Sequence, residues 1–202
     1  MEPPKTAQTK KNATVSVPQV AEVTTPSPDR ILINELEGAN DEIRTIAQQI
    51  RAVDYTMGTI EKNLQQMTAS LEEIVKQYPP YLQNNEERIT ALRQFGGLRQ
   101  LIDQLTMPPP DDSPSKILGD KKRFAEAGDW ELTIAKDQPP VIIRHQPVHS
   151  GVDGLNLPAL ATDASDQLVH KALGKMSSSY AALQRKRQGF AADANRAMAA
   201  IS

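Results

Sequence analysis

Two histidines in the last third of the chain are spaced as metal ligands often are. His145 and His149 are four residues apart, and on a helix this spacing lets two imidazoles share one metal ion. Pro147 lies between them and excludes a regular helix, and Asp153 is the nearest following carboxylate. We therefore predict two surface-loop histidines and no metal site. His170 falls in a predicted helix without catalytic partners.

Phosphate chemistry has two weak signals in the sequence. Arg185, Lys186 and Arg187 form a short basic run, but no aromatic residues interleave with it as they do in many single-strand binding sites. The segment 119–122, Gly-Asp-Lys-Lys, lacks the first glycine and the Ser or Thr of a phosphate loop. We predict no nucleic-acid partner, no cofactor and no catalytic residues. Arg187 is instead placed in a helical seam, where it sets the register or pairs with an acidic residue of a partner.

Composition limits the function classes further. The chain has 202 residues, with 23 basic and 25 acidic side chains, so its net charge of -2 gives no field for nucleic acid or anionic membranes. Cysteine is absent, which excludes disulfides, cysteine-ligated zinc, iron–sulfur clusters and thiol nucleophiles. Aromatic residues make up 4% of the chain, too few for a thick α/β interior. These features favour elongated helical packing.

Cellular location is predicted from what the chain does not contain. No stretch approaches the roughly 18 apolar residues of a membrane span, and the first thirty residues have no continuous apolar segment of a Sec-type signal peptide. We expect no membrane insertion and a cytoplasmic location. The alternative is export without a Sec signal to a surface filament.

Proline positions divide the chain into segments. Prolines are absent from 29–78, 81–107 and 159–202, and a proline inside a helix costs about 3 kcal/mol, so long helices belong in these tracts. We predict a mainly α fold in four parts. They are a disordered tail at 1–29, a coiled-coil helical hairpin at 30–107, a proline-rich linker at 108–160 and a C-terminal amphipathic helix at 161–202.

The first helix, at about 31–78, carries the strongest pattern in the sequence. A strict heptad places an apolar residue at every a and d position, and this period is typical of a left-handed coiled coil. We call these positions of the first helix the seam. Its residues are Leu36, Ala39, Ile43, Ile46, Ile50, Val53, Met57, Ile60, Leu64, Met67, Leu71, Ile74 and Tyr78.

A second helix is predicted at about 86–106, after Pro79 and Pro80 end the first. Asn84 or Asn85 is expected to cap it, and the short link favours an antiparallel hairpin. Two glycines in succession, at 96 and 97, indicate either a bend in the helix or close approach of another backbone, and close approach is our prediction.

The linker contains one candidate β-hairpin at 130–145. The segment 130–135 alternates apolar and polar residues, and 141–144 is a β-branched run that follows Pro139 and Pro140. An isolated hairpin is marginal in water, so this one is expected to lie on the helices through Trp130 or to pair its edge with another chain. The first arrangement is our prediction.

The third helix is predicted to start near Thr162 or Asp163, with Asp163 or Ser165 as its cap. It also carries a heptad, and the pattern leaves open whether its partner is the first helix of the same chain or of another chain. The two seam rows are Val169, Met176, Leu183, Phe190 and Ala197, and Leu173, Tyr180, Arg187, Ala194 and Ile201.

The third helix resembles the C-terminal helix of flagellin-like proteins. The likeness rests on the alanine-rich heptad, on periodic leucines such as Leu173 and Leu183, and on Arg187-Gln-Gly-Phe190 followed by Asn195-Arg196. It implies a filament protein with paired N- and C-terminal helices around a variable middle. The tail at 1–29 and the helix at 86–106 depart from that pattern.

Three functions are compatible with these features of the sequence. A non-enzymatic structural or adaptor protein, acting through coiled-coil oligomerisation or partner-helix binding, follows directly from the seam. Its partner would be a second copy of the chain or another helical protein. A flagellum- or secretion-associated component is the alternative that the resemblance implies. An enzyme or nucleic-acid binder would use 108–160, where we find no suitable group of residues. The first function is our prediction.

Overall fold

The computed structural model describes residues 41–77, 79, 81–107, 114–133 and 139–201. The tail predicted at 1–29 lies outside these residues, as do Leu36, Ala39 and Tyr78 of the predicted seam. The described elements are three α-helices, a 3₁₀ helix and two short strands. They are α1 (Asp41–Lys76), α2 (Glu86–Leu105), the 3₁₀ helix (Pro114–Leu118), β1 (Trp130–Leu132), β2 (Val141–Ile143) and α3 (Asp166–Ile201).

The first two helices form the predicted hairpin. α1 ends shortly before Pro79, as expected of a helix that meets consecutive prolines. Asn85 is the N-cap of α2, and its side-chain Oδ1 accepts the backbone N–H of Arg88 at 3.0 Å. Because the link between the helices is short and α2 packs on α1, the two helices run antiparallel.

The paired glycines of α2 do not mark a close contact, so our prediction there was wrong. A Cβ added at Gly96 or Gly97 would meet no atom within 4 Å. The helix continues through both positions because its other residues supply the packing, with Leu92, Phe95 and Ile102 buried. The two glycines therefore weaken α2 without serving a packing role.

Replacing Gly97 by alanine should stabilise the protein. The added methyl group meets open space, and alanine is favoured over glycine in a helix by about 0.5–1 kcal/mol. We expect a gain of that size in the free energy of unfolding, measured by urea denaturation. Gly154→Ala is the opposite control, because a Cβ there would lie 2.1 Å from the carbonyl oxygen of His149. No gain in stability from Gly97→Ala, or equal effects of the two variants, would contradict this account of α2.

The segment between α2 and α3 contains the predicted β-hairpin. β1 and β2 pair antiparallel, with Trp130 opposite Ile143 and Leu132 opposite Val141. β2 packs on α3 and β1 contacts the 3₁₀ helix, which itself packs on α1. Trp130 is buried, and the hairpin lies on the rest of the fold as we predicted.

The third helix packs on α1 of its own chain and starts later than predicted. Ser165, one of the two predicted caps, accepts the backbone N–H of Leu168 on its Oγ at 3.4 Å. Contacts between Tyr180 and Glu61, and between Arg187 and Asp54, show that numbering rises along α3 as it falls along α1. The two helices are therefore antiparallel, and α1 is the element that packs against both other helices. None of the helices in the described part of the chain is both long and apolar enough to cross a membrane.

Candidate functional site

The structure places most of the α1 seam in the core of a single chain. From position 50 to position 74, each seam residue is at most 5% exposed, and α2 and α3 supply the residues packed around α1. Ile43 and Ile46, nearer the start of the helix, are half-buried. The buried members are Ile50, Val53, Met57, Ile60, Leu64, Met67, Leu71 and Ile74.

The seam of α3 divides into a buried row and a less buried row. Met176, Leu183 and Phe190 are buried, whereas Leu173 and Tyr180 are half-buried. The question that the heptad left open is thus answered, since α3 packs on α1 of the same chain. Between 50 and 74, the apolar seam already has intrachain partners.

A polar cluster joins α1 to α3 at the middle of their contact. Arg187 Nη1 donates to Glu61 Oε2 at 2.8 Å, and its Nη2 donates to Asp54 Oδ1 at 3.1 Å. Gln184 Nε2 donates to Glu61 Oε1 at 2.8 Å, and the Tyr180 hydroxyl donates to the same oxygen. That bond raises the pKa of Tyr180. The cluster fixes the antiparallel register, the role predicted for Arg187, with the acidic partners supplied by its own chain.

A second cluster centres on Asp193, which sequence reasoning missed. Its carboxylate is fully buried on α3 and receives both the backbone N–H and the guanidinium of Arg144, just after β2, at 2.9 to 3.0 Å. Arg196 also donates to it. Burial raises the pKa of Asp193, but these donors outweigh burial and lower the pKa to about 2. The signal in the sequence was an acidic residue beside the seam of an alanine-rich helix.

Replacing Asp193 by asparagine should weaken the fold at neutral pH and flatten its acid dependence. The folded-state pKa of about 2 lies below the usual value of 3.8, so this carboxylate contributes stability above about pH 4 and loses it as the pH falls towards 2. We expect Asp193→Asn to lose about 2 kcal/mol at neutral pH.

Urea unfolding across this pH range measures the effect. Asp153→Asn is the matched control, because Asp153 and its partner Lys122 are both exposed, and we expect little change from it. If the free energy of unfolding of Asp193→Asn falls with pH as steeply as that of the wild type, the role assigned to Asp193 is contradicted.

The two loop histidines are not surface residues, so that prediction was wrong. His149 is 6% exposed and His145 is half-buried. His145 Nε2 lies 2.9 Å from the carbonyl oxygen of Gly119, and its backbone N–H donates to Asp129. Burial lowers the pKa of both rings. The loop turns inward because its backbone bonds the 3₁₀ helix, a partner some 30 residues away that no local pattern shows.

In the described part of the chain, no group of three or more His, Asp or Glu side chains could hold a metal ion. Asp153, the carboxylate considered for such a set, pairs with Lys122 instead. His170 lies on exposed α3 surface and its Nδ1 is 2.8 Å from the carbonyl oxygen of Asp166.

The face of α1 opposite the seam is exposed to solvent. Gln48, Tyr55, Lys62 and Ala69 recur at seven-residue intervals along it, and all four are exposed. Tyr55 is 76% exposed, which is unusual for an aromatic ring on a helix whose seam is buried from position 50 to position 74. We call these four residues the outer row.

Comparison with protein-family models, with curated proteins and with solved structures finds no match. The resemblance of α3 to flagellin-like proteins therefore stays a prediction.

Proposed function

We propose that this chain is a non-enzymatic structural or adaptor protein that binds another helical protein along the outer row of α1. The observation that carries the proposal is that buried and half-buried charged side chains pair with other elements of the same chain. Arg187, Arg88 and Asp193 each bond groups on segments that are distant in the sequence. Charged side chains bonded in this way hold the elements of the fold in register.

The outer row offers a partner helix a long and regular surface. α1 has 36 residues, and its inner face is held by α2 and α3, so the outer face is presented on a firmly packed element. Tyr55 combines a large apolar ring with a hydroxyl at low cost in side-chain entropy, and such residues are enriched at interfaces. Lys62, one heptad further on, adds a charge that selects an acidic partner.

Site-specific photo-crosslinking in the source cells tests this function. A photoreactive phenylalanine analogue in place of Tyr55 should give one discrete adduct, whose crosslinked peptide carries a helical heptad pattern. The same analogue at Arg93, which is exposed on α2, is the matched control and should give no such adduct. An adduct with a second copy of the chain would identify a homo-oligomer. Absence of an adduct at position 55, or equal adducts at both positions, would contradict the proposal.

The second candidate is a flagellum- or secretion-associated component. The observation that favours it is the antiparallel packing of α1 on α3, which are the first and last described helices. The resemblance to flagellin-like proteins implies paired N- and C-terminal helices of this kind. Immunoblotting of cytoplasm, culture medium and sheared surface filaments separates the candidates. Recovery with filaments or medium supports the second candidate, whereas strict cytoplasmic retention contradicts it and agrees with an intracellular adaptor.

A further inference from the structure

The segment 144–157, which we call the docked loop, is attached to the rest of the fold mainly by its backbone. The N–H groups of Gln146 and Val148 donate to the carbonyl oxygens of Ile117 and Leu118 at 2.7 and 3.1 Å. Ser150 donates through both its N–H and its hydroxyl to the carboxylate of Asp103 on α2, each at 2.8 Å. The loop also covers its own apolar residues, since Val148, Leu155 and Leu157 are all buried.

His149 lies at the centre of this loop with one nitrogen bonded and the other without a partner. Its Nδ1 accepts the backbone N–H of Gly151 at 3.0 Å, so the neutral ring carries its proton on Nε2. Nε2 is buried and has no hydrogen-bond partner. A buried donor without an acceptor weakens the docked state, and a buried cation there would weaken it more.

The backbone of Gly151 and Gly154 packs so closely against His149 that neither position has room for a side chain. A Cβ at Gly151 would lie 2.9 Å from Nδ1, and one at Gly154 would lie 2.1 Å from the His149 carbonyl oxygen. That oxygen accepts the N–H of Leu155 at 2.8 Å. A change at the ring is therefore transmitted directly to the backbone of the loop.

Charged groups face His149 from each segment that surrounds it. Asp120, which follows the 3₁₀ helix, has its Oδ2 3.9 Å from Nδ1. Asp103 on α2 and Asp153 in the loop are the other acidic groups, and Lys186 on α3 is a basic group. Asp103 accepts from Ser150, and Asp153 pairs with Lys122. Asp120 accepts the backbone N–H of Lys122 on its Oδ1, which leaves Oδ2 as the carboxylate oxygen that faces the ring.

We propose that the docked loop is a proton-operated latch, in which protonation of His149 releases residues 148–157 from the 3₁₀ helix and α2. In the docked state, the lone pair of Nδ1 accepts the Gly151 N–H. The added proton binds this lone pair, so the hydrogen bond from Gly151 is lost. The ring becomes a cation with two N–H donors. Its Nδ1–H can donate a hydrogen bond to Asp120 only if the 3.9 Å separation shortens, which moves the ring and the backbone that encloses it. This inference does not depend on the proposed function.

The direction of the pH effect follows from the environment of the ring. Burial lowers the pKa of His149, although Asp120 and Asp103 oppose this effect. Since the ring binds protons more weakly when the loop is docked than when it is released, the docked state is fully stable above about pH 6.5 and loses stability as the pH falls below that value. Release uncovers Val148, Leu155 and Leu157 beside the end of α2.

Hydrogen exchange and histidine NMR on the full chain test the latch. The chain has three histidines, so each ring proton signal can be followed separately. We expect protection of the Leu155 and Leu157 amides, corrected for intrinsic exchange, to fall at least about tenfold between about pH 7.5 and about pH 5, with α1 amides unchanged. The midpoint should coincide with titration of the His149 ring.

His149→Gln should remove this pH dependence, and His145→Gln is the matched control that should retain it. If His149→Gln does not fold, the wild-type midpoint and the His145→Gln response still decide the matter. Constant protection of the loop in the wild type would overturn the latch. So would a loss shared equally by α1, which indicates global acid unfolding, or a loss that disappears in His145→Gln.

Discussion

Replacing Ile60 by aspartate should abolish cooperative folding of the described helices. Ile60 is fully buried in the middle of the seam, where α1 packs against the rest of the chain. A carboxylate at this position would have to be buried without a partner or force the helices apart, at a cost of at least about 4 kcal/mol. Single domains are stable by only about 5–15 kcal/mol in total. Circular dichroism during urea titration should show a large loss of stability or no folded baseline.

Gln66→Asp is the matched control for this substitution. Gln66 lies six residues further along the same helix and is exposed, so its aspartate stays hydrated and costs only the difference in helix propensity, less than about 1 kcal/mol. Equal losses from the two variants would show that helix propensity rather than burial of the seam controls the stability of α1. That result would contradict the packing described above.

Replacing Arg88 by methionine should give the second largest loss, about 2–3 kcal/mol. Arg88 is 1% exposed on α2, and its two terminal nitrogens donate to Asp166 Oδ1 at 2.6 Å and to the carbonyl oxygen of Ala164 at 2.7 Å. These bonds attach the start of α2 to the start of α3. Methionine fills much of the same volume but leaves the Ala164 carbonyl without its donor. The side chain of Asp166 is 58% exposed and is rehydrated, which limits the loss.

Urea unfolding of two further variants tests this assignment. Arg93→Met removes an exposed arginine from the same helix and should change stability by less than about 0.5 kcal/mol. Asp166→Asn should lose less than Arg88→Met, and the double variant should show a coupling of about 1 kcal/mol. Additive losses from Arg88 and Asp166 would show that their ion pair contributes nothing to stability.

The helices and the hairpin could be predicted from the sequence because their signals are local. Prolines end α1 and isolate α2, Asn85 and Ser165 cap helices, and alternation marks β1. The heptad identified the buried seam residues of α1 between 50 and 74 and the buried row of α3, because an apolar stripe must find cover whichever helix provides it. It did not identify the covering helix, since α1 packs equally well in principle against its own chain or another.

The polar contacts that join the elements could not be predicted, because each depends on residues far apart in the sequence. Arg88 meets Asp166 across 78 positions, and Arg144 meets Asp193 across 49. Arg88, near the start of α2, carries no mark in the sequence that it will be buried. The same reason explains His149, which the loop encloses only because its backbone bonds the 3₁₀ helix.

The glycines at 96 and 97 illustrate the opposite error. Their prediction rested on the rule that glycine inside a helix marks close packing. That rule fails here, because a glycine is also permitted where its side of the helix faces open space. Gly154, in contrast, lies against the backbone of His149, and no local pattern distinguishes it from the other glycines. Packing at a glycine is decided by its neighbours in space.

The central claim is that the seam of α1 is filled by helices of the same chain, and thiol crosslinking tests it most directly. The chain contains no cysteine, so Asp54→Cys and Arg187→Cys place the only two thiols at positions that pair between α1 and α3. A short bismaleimide should crosslink the double variant within one chain of about 22 kDa, and an equal mixture of the two single variants, unfolded and refolded together, should give no crosslinked dimer. Crosslinked dimers in the refolded mixture would place α3 on the α1 of another chain and contradict the account.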